Sequence, residues 1–249
     1  MLTSSRGRAR IGVLVPFTNV NLEPDLTLLG PAGVSFHFAR LGGYDMDEVP
    51  DAEQMAGLGE ASLDEPLRLL AGARPDAVLY GCTSATLTHG PQFDRDLAAR
   101  IHEQIGAETV TAAGALVQAL KTLDIGRIGF ASPYVEQIND QAIAFLAGSG
   151  IETVSRADVG AALSNYGQGE LTPDEVYDLG LRADSPAAQA IVLSCTDMRS
   201  IECLERLEAA AGKPVISSNQ AMLFAALRAL GMENGTVKCG QLFRQSEAA

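Results

Sequence analysis

The chain is 249 residues long, 47% hydrophobic and 20% charged, which suits one large α/β domain or two small ones around a sizeable core. Its formal net charge of -13 and isoelectric point near 4.6 argue against a phosphate-backbone binder, which needs a clustered basic face. No apolar run has bilayer length and no hydrophobic leader follows Met1. The expectation is a cytoplasmic protein with no nucleic-acid or membrane partner, its four cysteines kept reduced.

In chain order, residues 1–9 with the basic stretch Arg6–Arg10 read as a loose N-terminus. Ile11–Val15 is a β-branched, fully apolar strand ended by Pro16, and Val34–Leu41, with Phe36 and Phe38, is a second. Asp51–Leu70, rich in Leu, Ala and Glu, reads as one helix. Ala77–Tyr80 and Thr109–Thr111 are strands on either side of a helix over Phe93–Gln104. Helices over Ala113–Leu123, Ile201–Ala210 and Asn219–Leu230 complete the reading, the last either core or the interface of a homo-oligomer. Short apolar strands alternating with helices indicate a parallel sheet covered on both faces.

The second half repeats the first. Arg10-Ile11-Gly12 leading to Pro16-Phe17 returns as Arg127-Ile128-Gly129 leading to Pro133-Tyr134. Asp76–Thr83, ending Tyr80-Gly81-Cys82-Thr83, returns as Ala190–Thr196, ending Leu193-Ser194-Cys195-Thr196; Thr109–Thr111 and its helix return as Val215–Ser217 and its helix. Order and spacing are preserved together, the mark of an internal duplication. The fold class is therefore α/β with two pseudo-symmetric Rossmann-like lobes, each a short parallel sheet flanked by helices, and a site in the cleft between them. The lobes span 10–112 with Cys82 and 113–241 with Cys195, helices being exchangeable between them, and 242–249 form a C-terminal tail.

Ligands of open α/β sheets bind beyond the carboxyl ends of the strands. Pro16–Asn19, Gly81–Ser84, Ser132–Tyr134 and Ser194–Thr196 all fall there, so Cys82 and Cys195 approach one ligand from opposite sides. Each cysteine is expected just before a helix, whose N–H groups and dipole favour a thiolate. Thr83-Ser84 and Thr196-Asp197 suit helix capping and also leave donors for a bound carboxylate. Plainer roles stand beside these. Cys203 and Cys239 read as small hydrophobes, Asn19 and Asn165 as turn formers, Tyr134 as a half-buried ring. His37 and His89 read as structural, and Glu23, Asp25 and Asp197 as caps or surface charges. No Cys-x-x-Cys and no clustered histidines point to a metal, and no Gly-rich phosphate loop points to a nucleotide cofactor.

Gly81-Cys82-Thr83 and Ser194-Cys195-Thr196 resemble the paired cysteine motifs of the aspartate/glutamate racemase superfamily. From Arg10 to about Gln241 the chain is most similar to its maleate cis-trans isomerase and arylmalonate decarboxylase branch. The resemblance implies cofactor-independent chemistry on a small carboxylate, with Cys82 as nucleophile and Cys195 as proton donor. Asn19, in the opening Arg10–Asn19, and Asn165, in Ser164-Asn165 before Gly169-Glu170-Leu171, inherit carboxylate binding; Tyr134 inherits a substrate-binding role. Thr83, Ser84 and Thr196 complete the expected substrate contacts. The decarboxylases keep only the second cysteine, whereas this chain has both. The cysteine neighbours are also more polar than the isomerase pattern, and Asp197 and Arg199 suggest recognition of an amino or second carboxylate group. The expected activity is that of a maleate isomerase-like enzyme. The alternatives are a two-thiol racemase or epimerase of an amino acid, hydantoin or related carboxylate, then a decarboxylase or a non-catalytic two-lobed binding protein.

Overall fold

The computed structural model describes residues 9–43, 45–232 and 237–245. The first half runs β1 (Ala9–Pro16), α1 (Leu22–Leu29), β2 (Val34–Leu41), α2 (Ala52–Glu60), α3 (Asp64–Ala71), β3 (Ala77–Tyr80), α4 (Thr83–Leu87), α5 (Pro91–Ile105), β4 (Glu108–Thr111) and α6 (Ala112–Thr122). The second runs β5 (Arg127–Ser132), α7 (Glu136–Gly148), β6 (Glu152–Asp158), a 3₁₀ turn (Gly167–Glu170), α8 (Pro173–Ala183), β7 (Ala190–Leu193), α9 (Ile201–Ala211), β8 (Val215–Ser217), α10 (Ser218–Ala229) and α11 (Gly240–Gln245).

Two parallel sheets result, ordered β2-β1-β3-β4 and β6-β5-β7-β8. The duplication holds at the level of register: Ile11 pairs with Ala77 as Ile128 pairs with Ala190. The central strands β3 and β7, Ala-Val-Leu-Tyr and Ala-Ile-Val-Leu, are buried along their whole length, as parallel strands covered on both faces must be. Strand order reverses between β1 and β3 and again between β5 and β7. Each reversal opens a crevice at the carboxyl ends of the strands, where Asn19 and Cys82, and then Tyr134 and Cys195, emerge.

Helices α6 and α10 fill the seam between the lobes. Each starts on a hydroxyl cap: Thr111 accepts the Gly114 N–H, and Ser217 forms a reciprocal capping box with Gln220. The two helices pack on each other, and α10 also packs on β3, β4 and α1 of the first lobe, while α6 also touches β8 of the second. Every residue from Ser218 to Leu227 is buried, so the apolar helix that the sequence left as core or interface is core.

The expected single helix over Asp51–Leu70 is two helices. Pro66 supplies no N–H and its ring opposes the carbonyl four residues back, so the chain breaks after Glu60 and restarts at Asp64. Residues 1–8 of the expected loose terminus lie outside the described residues, and Ala9 already pairs in β1. Residues 242–245, read as tail, belong to α11, where Leu242 and Phe243 are buried and Phe243 meets the Phe224 ring edge-on at 5.6 Å. Cys203 and Cys239 are buried and unpaired.

The duplicated glycines Gly12 and Gly129 are not equivalent. A Cβ on Gly129 would lie 2.1 Å from the Ala183 carbonyl oxygen, whereas one on Gly12 meets nothing closer than 3.4 Å. Gly129→Ala should therefore overpack the contact of β5 with α8 and cost about 1–3 kcal/mol, a fall of roughly 2–12 °C in Tm. Gly12→Ala should stay close to the parent; equal melting temperatures of the two variants would refute this packing.

Candidate active site

The four strand-end loops converge on one cavity between the lobes. Pro16–Asn19 line it from β1, Cys82–Ser84 from β3, Tyr134 from β5 and Cys195–Asp197 from β7. Asn165 and Gln168 from the 3₁₀ segment, with Met55 and Leu58 of α2, close it. All eight residues singled out in the sequence, Cys82, Cys195, Asn19, Thr83, Ser84, Tyr134, Asn165 and Thr196, meet here. The cavity volume is about 40 Å³, room for a few waters or a compact ligand that displaces them. Among the described residues no lysine, arginine or histidine lines it. His89 instead stacks on Phe93 at 3.8 Å, and Arg199 pairs with Glu202 outside the cavity.

The two thiols have unequal surroundings. Cys82 is the N-cap of α4, and the N–H groups of Ala85 and Ser84, with the Ser84 hydroxyl, favour its thiolate. Burial still raises its pKa above the ordinary thiol value. Cys195 is not followed directly by a helix, since α9 begins only at Ile201, which corrects the expected helix-terminal setting. It accepts the Asp197 N–H at 3.4 Å and donates to Gln168 Oε1 at 3.8 Å. Burial, reinforced by the Asp197 carboxylate, pushes it up to about 12 against the pull of the Asp197 N–H and the Tyr134 hydroxyl. Both buried thiols thus favour the protonated form, and the thiolate preference of a helix terminus is outweighed. A helix terminus is worth about 0.3–1 kcal/mol, and burial of an unpaired charge costs more than that.

Tyr134 is buried rather than half-buried, and its hydroxyl lies against both Cys195 and Ser84. Burial, then the charges of the two thiols, hold its pKa well above the ordinary phenol value. The hydroxyl therefore stays a donor.

The threonines after the cysteines do not cap helices. Each crosses between lobes instead: Thr83 Oγ1 donates to Ser218 Oγ at 3.0 Å, and Thr196 Oγ1 to the Gly81 carbonyl at 2.8 Å. Asn19 joins this seam. Its Oδ1 accepts the N–H groups of Asn21 and Leu22 at 3.1 and 2.9 Å, and its Nδ2 donates to Thr196 Oγ1 at 2.9 Å. With Oδ1 committed to the start of α1, the amide orientation is set and one Nδ2 hydrogen has no acceptor among the described residues. Arg40 braces the same loop from outside, donating to the Pro16 and Asn19 carbonyls. Asn165 ties the 3₁₀ segment to the loop after β2, its backbone N–H reaching the Glu48 carbonyl at 2.8 Å and its Nδ2 the Asp45 carbonyl at 3.0 Å.

Two buried carboxylates support the site, Asp197 in the cavity wall and Asp25 behind it. Asp197 Oδ1 accepts the N–H groups of Val20 and Asn21 and the Asn21 side-chain amide. Asp25 Oδ2 accepts Asn219 Nδ2 at 2.7 Å, and that same nitrogen reaches the Thr196 carbonyl at 3.0 Å. Burial raises each to about 7, against those hydrogen bonds. Neither was separable in the sequence from an ordinary cap or surface charge. Among the described residues no group of three His, Cys, Asp or Glu side chains is placed to hold a metal ion.

A family model described as arylmalonate decarboxylase matches residues 11–243. The chain is 28% identical to a maleate isomerase of Nocardia farcinica, over 97% of this chain and 98% of the relative. It is 26% identical to a maleate isomerase of Geobacillus stearothermophilus, over 94% and 96%. Among solved structures, a cysteine-to-serine mutant of Nocardia farcinica maleate cis-trans isomerase with a covalently bound succinylcysteine intermediate superposes with a TM-score of 0.86. That match has 26% identity and covers 95% of this chain and 98% of the other.

Asp25 and Asp197 hold their protons to about pH 7 in the folded chain, against 3.8 for an exposed aspartate. The folded state binds the extra protons, so their stabilising effect is full below about pH 4 and is lost as pH rises through 7. The loss runs at up to about 1.4 kcal/mol per pH unit for each group. The urea midpoint should fall across this window, and the double variant Asp25→Asn, Asp197→Asn should flatten the slope. A midpoint that rises from pH 4 to 7 in the parent, or an unchanged slope in the variant, would count against it.

Proposed function

The chain belongs to the arylmalonate decarboxylase family, and from that premise we propose that it is a cysteine-based cis-trans isomerase of a small unsaturated dicarboxylate of the maleate type. The observation that carries this reading is the pair of thiols on matched strand ends of one cavity, unequal in environment. Cys82 heads a helix whose N–H groups face its sulfur, whereas Cys195, with no helix directly after it and the Asp197 carboxylate beside it, holds its proton until about pH 12. One is suited to attack and the other to deliver hydrogen. Both thiols are present where the decarboxylase pattern needs one, which sets that chemistry aside. All four cysteines are unpaired, which suits a reducing, cytoplasmic setting.

In the reaction, the Cys82 thiolate adds to one alkene carbon of the cis-enedioate and forms a C–S bond. The π pair moves onto the neighbouring carbon and its carboxylate, where the free Asn19 and Asn165 amide hydrogens and the Thr83 N–H meet the growing charge. Cys195 gives its proton to that carbon, leaving a succinyl thioether on Cys82 and a thiolate at Cys195. The central bond is now single and rotates. Cys195 then removes the other hydrogen of that carbon, which the rotation has brought round to its sulfur, the C–S bond breaks with its pair returning to Cys82, and the trans isomer leaves. Nothing is consumed. The succinylcysteine held by the Nocardia farcinica mutant is the adduct this sequence of steps requires, and it supports the reading.

Purified protein should convert maleate to fumarate, followed by NMR. Cys82→Ala and Cys195→Ala should each lose about 10³-fold or more, and Cys195→Ser should gain the mass of one maleic acid on the Cys82 peptide. Because Cys82 titrates above the ordinary thiol range, kcat/KM should climb with pH from 7 to 9, by up to about tenfold per unit. The high Cys195 value predicts no descending limb in that interval. Full turnover by either alanine variant would end the two-thiol mechanism.

A further inference from the structure

Gln168 is a polar side chain of the cavity that the sequence did not single out. It sits at the second position of the 3₁₀ turn Gly167–Glu170 and is buried to 9% exposure. The turn is pressed onto Asp197: a Cβ on Gly169 would stand 2.7 Å from Asp197 Oδ2, so only glycine admits this approach. The Gln168 N–H is bound to the Ser164 carbonyl at 3.2 Å. Backbone and neighbour together leave the side chain little choice but to face the cavity.

Its amide is oriented by chemistry. Cys195 Sγ donates to Oε1 at 3.8 Å, and a thiol that keeps its proton to about pH 12 remains a donor. The nitrogen therefore turns the other way. Of the three cavity amides, Asn19 spends one hydrogen on Thr196 and Asn165 one on the Asp45 carbonyl. The Gln168 nitrogen has no acceptor among the described residues, and its two hydrogens are uncommitted. Gln168 lines the cavity at 9% exposure, so those hydrogens are available to an acceptor on a bound ligand.

We propose that Gln168 determines substrate specificity, its amide nitrogen hydrogen-bonding the carboxylate on the carbon that Cys195 serves while its oxygen is held by the Cys195 thiol. The assignment of that carbon rests on the isomerase reading; the demand for a second acceptor-bearing group on the ligand rests on the geometry of the amide.

The test swaps the acceptor between enzyme and substrate. Maleate is compared with maleamate, in which an amide replaces one carboxylate, on the parent, Gln168→Glu and Gln168→Met at about pH 8.5, where an added carboxyl is ionised. The parent should prefer maleate. Gln168→Glu should lose about 100-fold in kcat/KM on maleate and little on maleamate, whose amide donates to the new carboxylate. Gln168→Met should lose about tenfold on maleate, mainly through KM. The selectivity ratio is read within each protein, so a smaller folded fraction does not imitate the result. Calorimetry of maleate binding to Cys82→Ser, with and without Gln168→Met, reads the same contact without turnover and should show about tenfold weaker binding in the double variant. Gln168-dependent binding by a chain that isomerises nothing would sink the isomerase reading and keep Gln168. Turnover and selectivity untouched by both substitutions would do the reverse, and a Cys82→Ser protein that binds no maleate would overturn the ligand class.

Discussion

The arrangement of the site depends on two hydroxyl bonds that cross the seam, Thr83 to Ser218 and Thr196 to the Gly81 carbonyl. Each threonine follows a cysteine at the end of a central strand and anchors that strand end to the opposite lobe. The hydrogen bonds are buried, where an unmade partner costs about 1–3 kcal/mol, so the two cysteine backbones are held in a fixed relation. Asn19 extends the seam to the loop after β1 and the Asn219–Asp25 pair extends it to α1. Opposed thiols need this rigidity, because proton delivery fails if the donor sulfur drifts from the carbon it serves.

A second constraint is the handling of charge. Among the described residues the cavity wall contains no cation, and its anionic members are buried groups whose protons are held to or above neutrality. The nearby guanidinium of Arg40 is spent on backbone carbonyls and on Glu23. A dicarboxylate of the proposed type would be received by neutral amides, hydroxyls and N–H groups, whose dipoles are already oriented and need little rearrangement as the charge shifts. A lysine or arginine in the same place would hold the starting carboxylate and the enolate-like intermediate about equally, which lowers KM without raising kcat.

Most of this frame was legible in the sequence, because it rests on short-range patterns. The apolar runs before Pro16, Cys82, Ser132 and Cys195, and their repetition, were enough for the sheets, their parallel order and the convergence of the eight site residues. What escaped depends on tertiary placement. The break between α2 and α3 needed Pro66 weighed against an otherwise helical composition. A helix terminus that favours a thiolate can be read along the chain, whereas the burial that opposes it cannot. The threonines looked like caps because hydroxyls after a strand usually are; their cross-lobe bonds exist only once two distant segments meet. Gln168 stood in a polar Gly-rich stretch with no periodicity, and nothing local distinguishes it from a solvated loop residue.

The exchange of α6 and α10 across the seam bears on how the protein is made. α10 is encoded after both sheets, yet it covers β3 and β4 of the first one. During synthesis the N-terminal half emerges with that face uncovered and stays incomplete until the chain has been extended past Ala229. The ancestral half-length polypeptide implied by the duplication faced the same gap and would have closed it with a second copy of itself, each donating its last helix. Within the present chain, a helix from the second half covering the first sheet has the geometry of a helix-swapped pair joined by a tether. A tether of this kind leaves two copies free to diverge, and the unequal surroundings of Cys82 and Cys195 are such a divergence.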